Sequence, residues 1–313
     1  MEAELTIGLD IGGTKMAFVV ADRQGNIHHQ STLPTDAGLD VDHTLNQIAR
    51  QLNQLIAQYE SLCGIGIGLP GPVDSDRGLA LHAANLGWRN VTVRDAIAER
   101  LSRPLPIYLD NDVNVGAIGE QLFGAAKGAP DYVYLIVGTG LGGAVMLNDR
   151  LLRGTTYSEM EIGHISLDPV NGRPCACGLR GCLEMSASGK GIVAHAQEHI
   201  ADYPNSRLNA EAITTHEIIQ LAGEGDALAN HVMSAAALAL GIACAWCVNL
   251  FNPKLIILAG GLMHACWHLL EDPMLQALQA RCLPMNFDAV AISLSKLTDG
   301  ALGASALVWY HER

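Results

Sequence analysis

The sequence has few basic residues and no cluster of them. Lysine and arginine number 19 against 32 aspartates and glutamates, for a formal charge of -13, and no basic run occurs that could follow a phosphate backbone. The first residues also lack the basic segment and apolar run of a secretory signal. We therefore expect a cytoplasmic enzyme with no nucleic-acid partner.

A long uncharged stretch is the only feature that suggests a membrane span. Residues 233–251 carry no charge and approach the length that a bilayer requires. The stretch is rich in alanine and contains Ser234, Gly241 and Asn249, so we predict a buried helix and no membrane partner. Cys244 and Cys247 form a C-x-x-C pair within it, but no βαβ pattern surrounds them, and two core thiols are expected.

The eight cysteines are too few for a disulfide scaffold in a chain of 313 residues, which is long enough for two domains. Cys175, Cys177 and Cys182 form a cluster, and His164 precedes it by eleven residues. Three thiolates and one imidazole fit a tetrahedral zinc ion with no open coordination position. We expect this metal to brace a loop rather than to perform chemistry.

The alternative is a cluster of reduced thiols that only packs. Gly178 and Gly181 favour the zinc site, because they permit the tight turns that a chelating loop requires. Glu161 and Glu184 flank the cluster in sequence, and a bound zinc would orient them.

Two glycine-rich turns each join two predicted strands. Gly12 and Gly13 follow the strand at 5–11 and precede one at 16–21, and residues 138–143 lie between strands at 132–137 and 144–147. The second turn matches G-x-G-x-x-G but leads into a strand, so it is not a dinucleotide fingerprint. Backbone N–H groups of the two turns could bind the phosphates of one nucleotide. An ordinary hairpin is the alternative for the first turn.

Other polar groups and glycines follow further predicted strands. Asp10 ends the first strand and could hold a hydrated Mg²⁺. Gly260 and Gly261 follow a strand at 255–258 and would let a flat base approach the backbone. No G-x-x-x-x-G-K-[ST] motif offers a competing phosphate site.

A cluster of Asp and Asn residues follows the predicted strand at 106–109. Because ligands bind beyond the carboxyl ends of strands in open α/β sheets, this cluster is a candidate reaction centre. Asp112 could accept a proton from a substrate hydroxyl, and Asn111 could hold a neighbouring hydroxyl. Alternatively, these residues only cap the helix predicted over 113–123.

Taken together and in this order, the motifs resemble the ROK family (repressor, open reading frame, kinase). Residues 10–15 and 138–143 are similar to its two phosphate motifs, residues 258–261 to its adenosine motif, and residues 161–164 and 175–184 to its two signatures. The resemblance implies an actin-like, ribonuclease-H-like ATPase fold of two α/β domains with a cleft between them. We predict domains at 1–112 with 300–313, and at 113–299.

The resemblance also implies a hexose kinase that uses Mg²⁺ with ATP, has a structural zinc and forms a homodimer. Asp112 would be the catalytic base. By resemblance, zinc is bound by His164, Cys175, Cys177 and Cys182, and the sugar by Gly71, Asn85, Asn111, Asp112, Glu161, His164 and Glu184. ATP and magnesium are bound by Asp10, Gly12, Gly13, Thr14, Lys15, Gly138, Thr139, Gly140, Gly142, Gly260 and Gly261.

Residues 84–88, Ala-Asn-Leu-Gly-Trp, resemble a segment common in glucokinases of the family, which favours glucose and its 6-hydroxyl. N-acetylmannosamine kinase is the alternative, since it shares the zinc and hydroxyl-binding positions. Residues 157–160, Tyr-Ser-Glu-Met, depart from the small residues usual before Glu161, so Met160 could narrow the pocket or reshape the loop.

Two non-enzymatic functions are the alternatives to a kinase. A sugar-responsive repressor would carry a helix-turn-helix domain before the first phosphate motif, whereas Asp10 lies near the start and no basic segment precedes it. A sugar-binding protein without catalysis would not need two anion-binding turns. Both patterns favour a kinase.

Overall fold

The structure is a computed structural model that describes residues 4–35, 40–297 and 299–312. Residues 1–3, part of the segment in which no signal sequence is expected, lie outside these ranges. The strands are β1 (Leu5–Ile11), β2 (Lys15–Asp22), β3 (Ile27–Pro34), β4 (Leu62–Leu69), β5 (Val73–Asp74), β6 (Leu79–Ala83), β7 (Trp88–Val91), β8 (Ile107–Asn111), β9 (Tyr132–Val137), β10 (Leu141–Leu147), β11 (Arg150–Leu151), β12 (Leu255–Ala259) and β13 (Ala291–Leu294). The helices are α1 (Val41–Gln58), α2 (Val93–Ala98), α3 (Asp112–Phe123), α4 (Glu184–Ala187), α5 (Gly189–His199), α6 (Thr215–Gly223), α7 (Ala227–Phe251), α8 (Gly261–Gln279), α9 (Pro284–Phe287) and α10 (Gly300–His311).

The chain divides into two compact units. Unit 1 comprises the described residues up to 130, residues 150–159 and the described residues from 295 on, and unit 2 comprises Asp131–Asp149 and Met160–Leu294. Each unit is built around a sheet that contains both parallel and antiparallel strand pairs.

The sheet of unit 1 has the strand order β3-β2-β1-β4-β8. β1, β2 and β3 pair antiparallel, whereas β1, β4 and β8 pair parallel. α10 packs directly on this sheet because two strands carry glycine where it crosses them. A Cβ at Gly8 would lie 1.8 Å from the Ala301 oxygen, and one at Gly66 would lie 1.8 Å from the Ala304 oxygen.

Helix α3 also belongs to unit 1, because it packs closely on α10. A Cβ at Gly119 would lie 2.7 Å from the Gly303 Cα, so the two helices meet through glycines. The contacts therefore place the domain boundary after α3, at residue 130, rather than before it. This contact could not be predicted from the sequence, because the two glycines lie in separate segments of the chain.

In unit 2, four strands follow the order β10-β9-β12-β13. β10 pairs antiparallel with β9, and β12 pairs parallel with both β9 and β13. The prediction that each glycine turn joins two antiparallel strands is therefore confirmed.

The long apolar stretch is the 25-residue helix α7, which packs against α8 in unit 2. Gly241 lets the two helices approach closely, since a Cβ there would lie 2.5 Å from the Ala277 Cβ. Among the described residues, α7 is the one helix that could cross a membrane by length and composition, but 56% of its most apolar window is buried inside the protein. A buried core helix also meets these criteria of length and composition, and a buried helix is what the sequence predicts for this stretch.

Candidate active site

The turn between β1 and β2 is closed by its own backbone. The Gly12 N–H donates to the Lys15 oxygen at 2.9 Å, and Thr14 and Lys15 are exposed at its tip. A Cβ at Gly13 would lie 3.2 Å from the Cβ of Asn85, so a predicted sugar-binding residue lies against a predicted phosphate-binding turn. The structure thus brings these two parts of the predicted site together within unit 1.

Three carboxylates interact beside this turn. Burial and the negative charges of Asp112 and Asp299 together raise the pKa of Asp10 to about 6, and Lys15 opposes them. A Cβ at Gly300 would lie 2.6 Å from Asp10 Oδ2, so the start of α10 also closes on this carboxylate. A divalent cation would offset the repulsion. Asp10 and Asp112 were predicted from the sequence because they lie at the ends of predicted strands. Asp299 was missed, because no predicted strand ends beside it.

At the end of β8, Asn111 has a structural role that the sequence analysis raised as an alternative. Its side-chain oxygen accepts from the Val113 N–H at 2.9 Å and caps α3, while its amide donates to the Gly71 oxygen at 2.9 Å. Gly71 has φ +78°, and a Cβ there would lie 2.1 Å from the His82 oxygen, so only glycine fits.

Asp112 is the first residue of α3, and its side chain is exposed. One of its oxygens also accepts from the Val113 N–H, at 2.9 Å. A carboxylate has two oxygens and about four acceptor sites, so this bond leaves capacity for a substrate hydroxyl. Capping and substrate binding are compatible at this helix end.

Behind Asp112, a buried ion-pair network fixes the strand end. Both oxygens of the fully buried Asp110 accept from Arg153, whose Nη1 lies 2.9 Å from Oδ1. Asn114 donates to Asp110 at 2.9 Å and to Glu159 at 3.1 Å. Arg153 and Glu159 were not predicted, because nothing in their sequence surroundings marks them as partners of residues some 40 positions earlier.

The turn between β9 and β10 is closed by its own backbone, where the Gly138 N–H donates to the Gly140 oxygen at 2.9 Å, and it is also held by a side chain. The Leu141 N–H donates to Glu184 Oε2 at 3.1 Å, and a Cβ at Gly140 would lie 2.6 Å from the same oxygen. Lys190 Nζ lies 3.7 Å from the other oxygen of Glu184. Glu184, predicted to bind sugar, therefore also supports the second glycine turn. Gly142 lies within β10.

A cavity of about 920 Å³ opens beside this turn, within the upper part of the size range of small-molecule sites. It is lined by Gly138, Thr139, Gly189, Lys190, Val193, Ala194, Gln197, Thr214, Thr215, His216, Ile219, Gly261, Leu262 and Ala265. The structure thus brings Gly138, Thr139 and Gly261 together, as predicted. The contributions of α5 and α6 carry no recognisable motif and were missed.

Gly260 supports the cavity without lining it. It precedes α8 with φ +97°, and a Cβ there would lie 2.2 Å from the Val137 oxygen at the end of β9. Backbone geometry therefore requires glycine at position 260. The next residue, Gly261, forms part of the cavity wall.

The four predicted zinc ligands form one cluster, with their ligand atoms within 4.8 Å of one another. Cys175 Sγ lies 3.8 Å from His164 Nδ1, and Cys177 Sγ lies 3.6 Å from Cys182 Sγ. A tetrahedral zinc with bonds of about 2.3 Å to sulfur and about 2.0 Å to nitrogen separates its ligands by roughly 3.4 to 3.8 Å. The donor set and its spacing therefore fit this ion.

The chemistry of the thiols points the same way. Burial and the neighbouring thiols raise the pKa of Cys182 to about 12, a penalty that a bound dication would offset. His164 Nε2, the ring nitrogen away from Cys175, lies 3.9 Å from Glu161 Oε2. Gly181 has φ +66°, and a Cβ there would lie 2.0 Å from the Asp168 oxygen, so the loop requires glycine.

The unusual segment before Glu161 has an unusual backbone. Tyr157 and Met160 both have positive φ, at +55° and +56°. The Met160 side chain is partly buried against the core of unit 2, with its methyl 3.1 Å from where a Cβ at Gly143 would lie. These features favour a reshaped loop over a side chain that narrows a pocket.

Comparisons with known proteins match this architecture. The profile of the ROK family matches residues 6–310. A glucokinase from Halalkalibacterium halodurans is 34% identical over 319 residues, which cover 98% of this chain and 95% of that protein. A xylose repressor from Caldicellulosiruptor bescii is 30% identical, over 96% of this chain and 77% of its own length.

Among solved structures, a ROK family glucokinase from Streptomyces griseus in complex with glucose and AMPPNP has a TM-score of 0.77 and 30% identity, over 97% of each chain. The fold is therefore the actin-like ATPase fold that the resemblance implied. Because the family match covers nearly the whole chain and named glucokinases are among the relatives of 30% identity or more, the chain belongs to the ROK family and is a sugar kinase.

Proposed function

We propose that this kinase phosphorylates glucose on its 6-hydroxyl, with Asp112 as the general base. The observation that carries the proposal is the arrangement in unit 1, where an exposed carboxylate at a strand end interacts with the partly buried Asp10 beside a glycine turn that contacts Asn85. A base, a cation-binding carboxylate and a sugar-binding amide are the groups that phosphoryl transfer to a hydroxyl requires.

Asp112 would accept the proton of the sugar hydroxyl as that oxygen attacks the γ-phosphorus. The Arg153 pair with Asp110 and the Asn111 contact to Gly71 would hold the base in position. Because little covalent chemistry is left to the protein in this reaction, most of the rate enhancement would come from such positioning.

Asp10 would bind the Mg²⁺ that accompanies ATP, directly or through water. Its pKa, raised to about 6 by burial and by Asp112 and Asp299, indicates a carboxylate in an unfavourable negative environment that a dication relieves. The turns at residues 12–15 and 138–143 would bind the phosphates, with Thr14, Lys15, Thr139, Gly140 and Gly142 among the residues in contact. The N–H groups of Gly12, Gly138 and Leu141 already donate within the protein.

The adenosine part of ATP would occupy the 920 Å³ cavity of unit 2. Its walls combine the glycines Gly138, Gly189 and Gly261, which permit close approach of a flat base, with Lys190 and with apolar side chains such as Leu262. This is the usual mixture of a mostly apolar site with a few polar groups.

Zinc bound by His164, Cys175, Cys177 and Cys182 would brace the loop that carries the sugar-binding groups. With Nδ1 on the metal, His164 Nε2 would donate toward a sugar hydroxyl beside Glu161. Glu184 follows Cys182 by two residues and bonds to Leu141, so the same loop would also stabilise the second glycine turn.

Glucose is the preferred sugar for two reasons. The relative from Halalkalibacterium halodurans is a glucokinase, and the Asn85–Trp88 segment is of the kind found in glucokinases of the family. Asn85 lies in a short 3-10 helix, Ala84–Leu86, which ends at Gly87 with φ +70° and leads into β7, where Trp88 is buried. This packing would hold the Asn85 amide against the first glycine turn.

The proposal is tested by a coupled ADP-release assay with Mg-ATP across glucose, mannose, fructose, N-acetylglucosamine, N-acetylmannosamine and xylose. We expect the highest kcat/KM for glucose. Xylose is an informative control because a pentose has no 6-hydroxyl. Preference for N-acetylmannosamine would transfer the proposal to the alternative substrate, and turnover of xylose would contradict transfer to the 6-hydroxyl.

The proposal includes a cytoplasmic homodimer that binds neither nucleic acid nor membranes. Light scattering coupled to size exclusion would measure the oligomeric state. Titration of labelled duplex DNA at low salt would test nucleic-acid binding, which a net charge of -13 disfavours.

A further inference from the structure

Unit 2 holds a second cluster of metal-binding side chains, which shares no residue with the cysteine loop. His195 and His199 lie one turn apart on α5, and His231 lies near the start of α7. The ring centroids are 5.0, 5.3 and 5.5 Å apart, and one nitrogen from each ring lies within 4.8 Å of the others. We propose that these three histidines bind a late divalent transition metal, with Zn²⁺ as the natural candidate and at least one coordination position left open.

The donor set is chemically specific. Imidazole nitrogen suits zinc, nickel and copper, and three histidines with an open position are an established zinc arrangement. Nitrogens bound to one such ion at about 2.0 to 2.1 Å lie roughly 3.4 Å apart in tetrahedral geometry. Because His199 is partly exposed and His231 is exposed, small side-chain rotations can close the remaining distance.

A neighbouring carboxylate already orients one of the ligands. His199 Nδ1 lies 3.2 Å from Asp202 Oδ2, so Nδ1 carries the proton and Nε2 keeps its lone pair for the metal. Metal-binding histidines usually donate their other N–H to such a partner. His195 is buried beside the other two rings.

The charged neighbours do not prevent cation binding. Arg173 is a positive group that acts on His195, and its Nε donates to Glu198 Oε2 at 2.6 Å. The Tyr203 ring lies 5.7 Å from the His231 ring and shields one side. Asp202 supplies negative charge beside His199.

The position of the cluster gives the metal a structural consequence. Val193, Ala194 and Gln197, between and beside the two histidines of α5, line the 920 Å³ cavity. A metal that joins α5 to α7 through His231 would hold this wall of the cavity in place. The proposal itself depends only on the histidines and not on which sugar is phosphorylated.

The test is calorimetric titration with Ni²⁺, an ion that imidazole nitrogen suits, of tag-free protein that carries a single zinc per chain in the cysteine site, so that the histidine cluster starts without metal. We expect one Ni²⁺ per chain. His231→Gln and His199→Gln should weaken binding by on the order of 100-fold or more, and Asp202→Asn by about 10- to 100-fold, as for other second partners of metal-bound histidines. Ni²⁺ should raise the Tm of the parent protein but not of His231→Gln.

The chain provides a matched control on another helix. His264 and His268 are exposed on α8 with the same four-residue spacing but belong to no three-ligand group among the described residues. His268→Gln should leave Ni²⁺ affinity unchanged. Absence of Ni²⁺ binding, equal binding by the parent and His231→Gln, or binding lost only in Cys177→Ser would each overturn the proposal.

Discussion

The two glycine turns have the same strand–turn–strand pattern but different surroundings. Beside the turn at Gly12 and Gly13, Asp10 interacts with two further carboxylates, Asp112 and Asp299. The turn at residues 138–143 has one carboxylate, Glu184, which is bonded to its backbone, and it borders a large cavity. The first turn thus lies beside a concentration of negative charge that would favour a cation, whereas the second turn borders a cavity.

This difference assigns separate roles to similar sequences. Repulsion among the carboxylates of unit 1 is only partly opposed by Lys15, and a cation would relieve it. In unit 2 the carboxylate of Glu184 already accepts from an N–H group and lies near Lys190. Substitutions beside the first turn should therefore alter chemistry and its pH dependence, and those beside the second should alter nucleotide binding and stability.

The largest effect is expected from a substitution among the carboxylates beside the first glycine turn. Asp112→Asn should lower kcat by about 10²- to 10⁴-fold, the usual contribution of a general base, while glucose affinity stays largely intact. Steady-state kinetics gives kcat, and tryptophan fluorescence titration gives the glucose dissociation constant. Asp95→Asn, at an exposed carboxylate on α2, is the control. An active Asp112→Asn enzyme would remove Asp112 from the base role.

Asp10→Asn should separate stability from activity. The folded-state pKa of about 6 exceeds the ordinary 3.8, so the folded protein holds this proton more tightly, and the contribution of Asp10 to stability falls as pH rises from about 4 to 6. Above that window, replacing the carboxylate should stabilise the nucleotide-free protein by up to about 3 kcal/mol, since each pKa unit is worth about 1.4 kcal/mol.

The same variant should lose activity by about 100-fold through weakened Mg²⁺ binding. Urea unfolding of both proteins at pH 4 and pH 7.5, without Mg²⁺ or ATP, measures the stability difference. It should be near zero at the lower pH and favour the variant at the higher pH. A variant less stable than the parent at pH 7.5 would show that Asp10 is not held in an unfavourable charge environment.

Cys177→Ser tests whether the zinc site braces the loop that supports the second glycine turn. Loss of one of four ligands should release zinc and lower kcat/KM by about 10- to 100-fold, the range seen when the supports of a metal site are removed. Metal analysis and the coupled assay are run on the same preparation. Cys282→Ser, a partly buried thiol outside the cluster, should retain both zinc and activity. Full activity after zinc loss would argue against the bracing role.

The sequence was sufficient for features whose spacing is local. Both glycine hairpins, the Asp/Asn strand end and the Cys/His cluster were predicted because each is written within a few residues or in a characteristic spacing. The hydrophobic pattern also distinguished α7 as a core helix, and the structure buries more than half of its most apolar window.

Features that depend on distant contacts were missed. Arg153 pairs with Asp110 across 43 positions, and Asp299 acts on Asp10 from the other end of the chain. The packing of α3 on α10 rests on two glycines that carry no periodic signal. In each case the energetic role of the residue is created by tertiary packing, so its own sequence surroundings do not reveal it.

The smallest effect is expected from substitutions of two glycines in the second turn, Gly140 and Gly138. A methyl group at Gly140 would lie 2.6 Å from Glu184 Oε2, whereas one at Gly138 would meet nothing within 4 Å. Gly140→Ala should displace the carboxylate and lose its bond to the Leu141 N–H, at a cost of about 1.5 to 3 kcal/mol for a hydrogen bond to a charged group. Gly138→Ala should leave the stability of the nucleotide-free protein nearly unchanged.

A double-mutant cycle distinguishes this mechanism from simple backbone stiffening. If Gly140→Ala acts by displacing Glu184, it should cost little once Glu184→Ala has removed that carboxylate, and the two changes should be strongly non-additive in urea unfolding. Gly140→Ala should also raise the KM for ATP by several-fold, because the turn loses its support. Additive costs would mean that the backbone bond from the Gly138 N–H to the Gly140 oxygen holds the turn without help from Glu184, and the contrast between the two hairpins would then lie in charge alone.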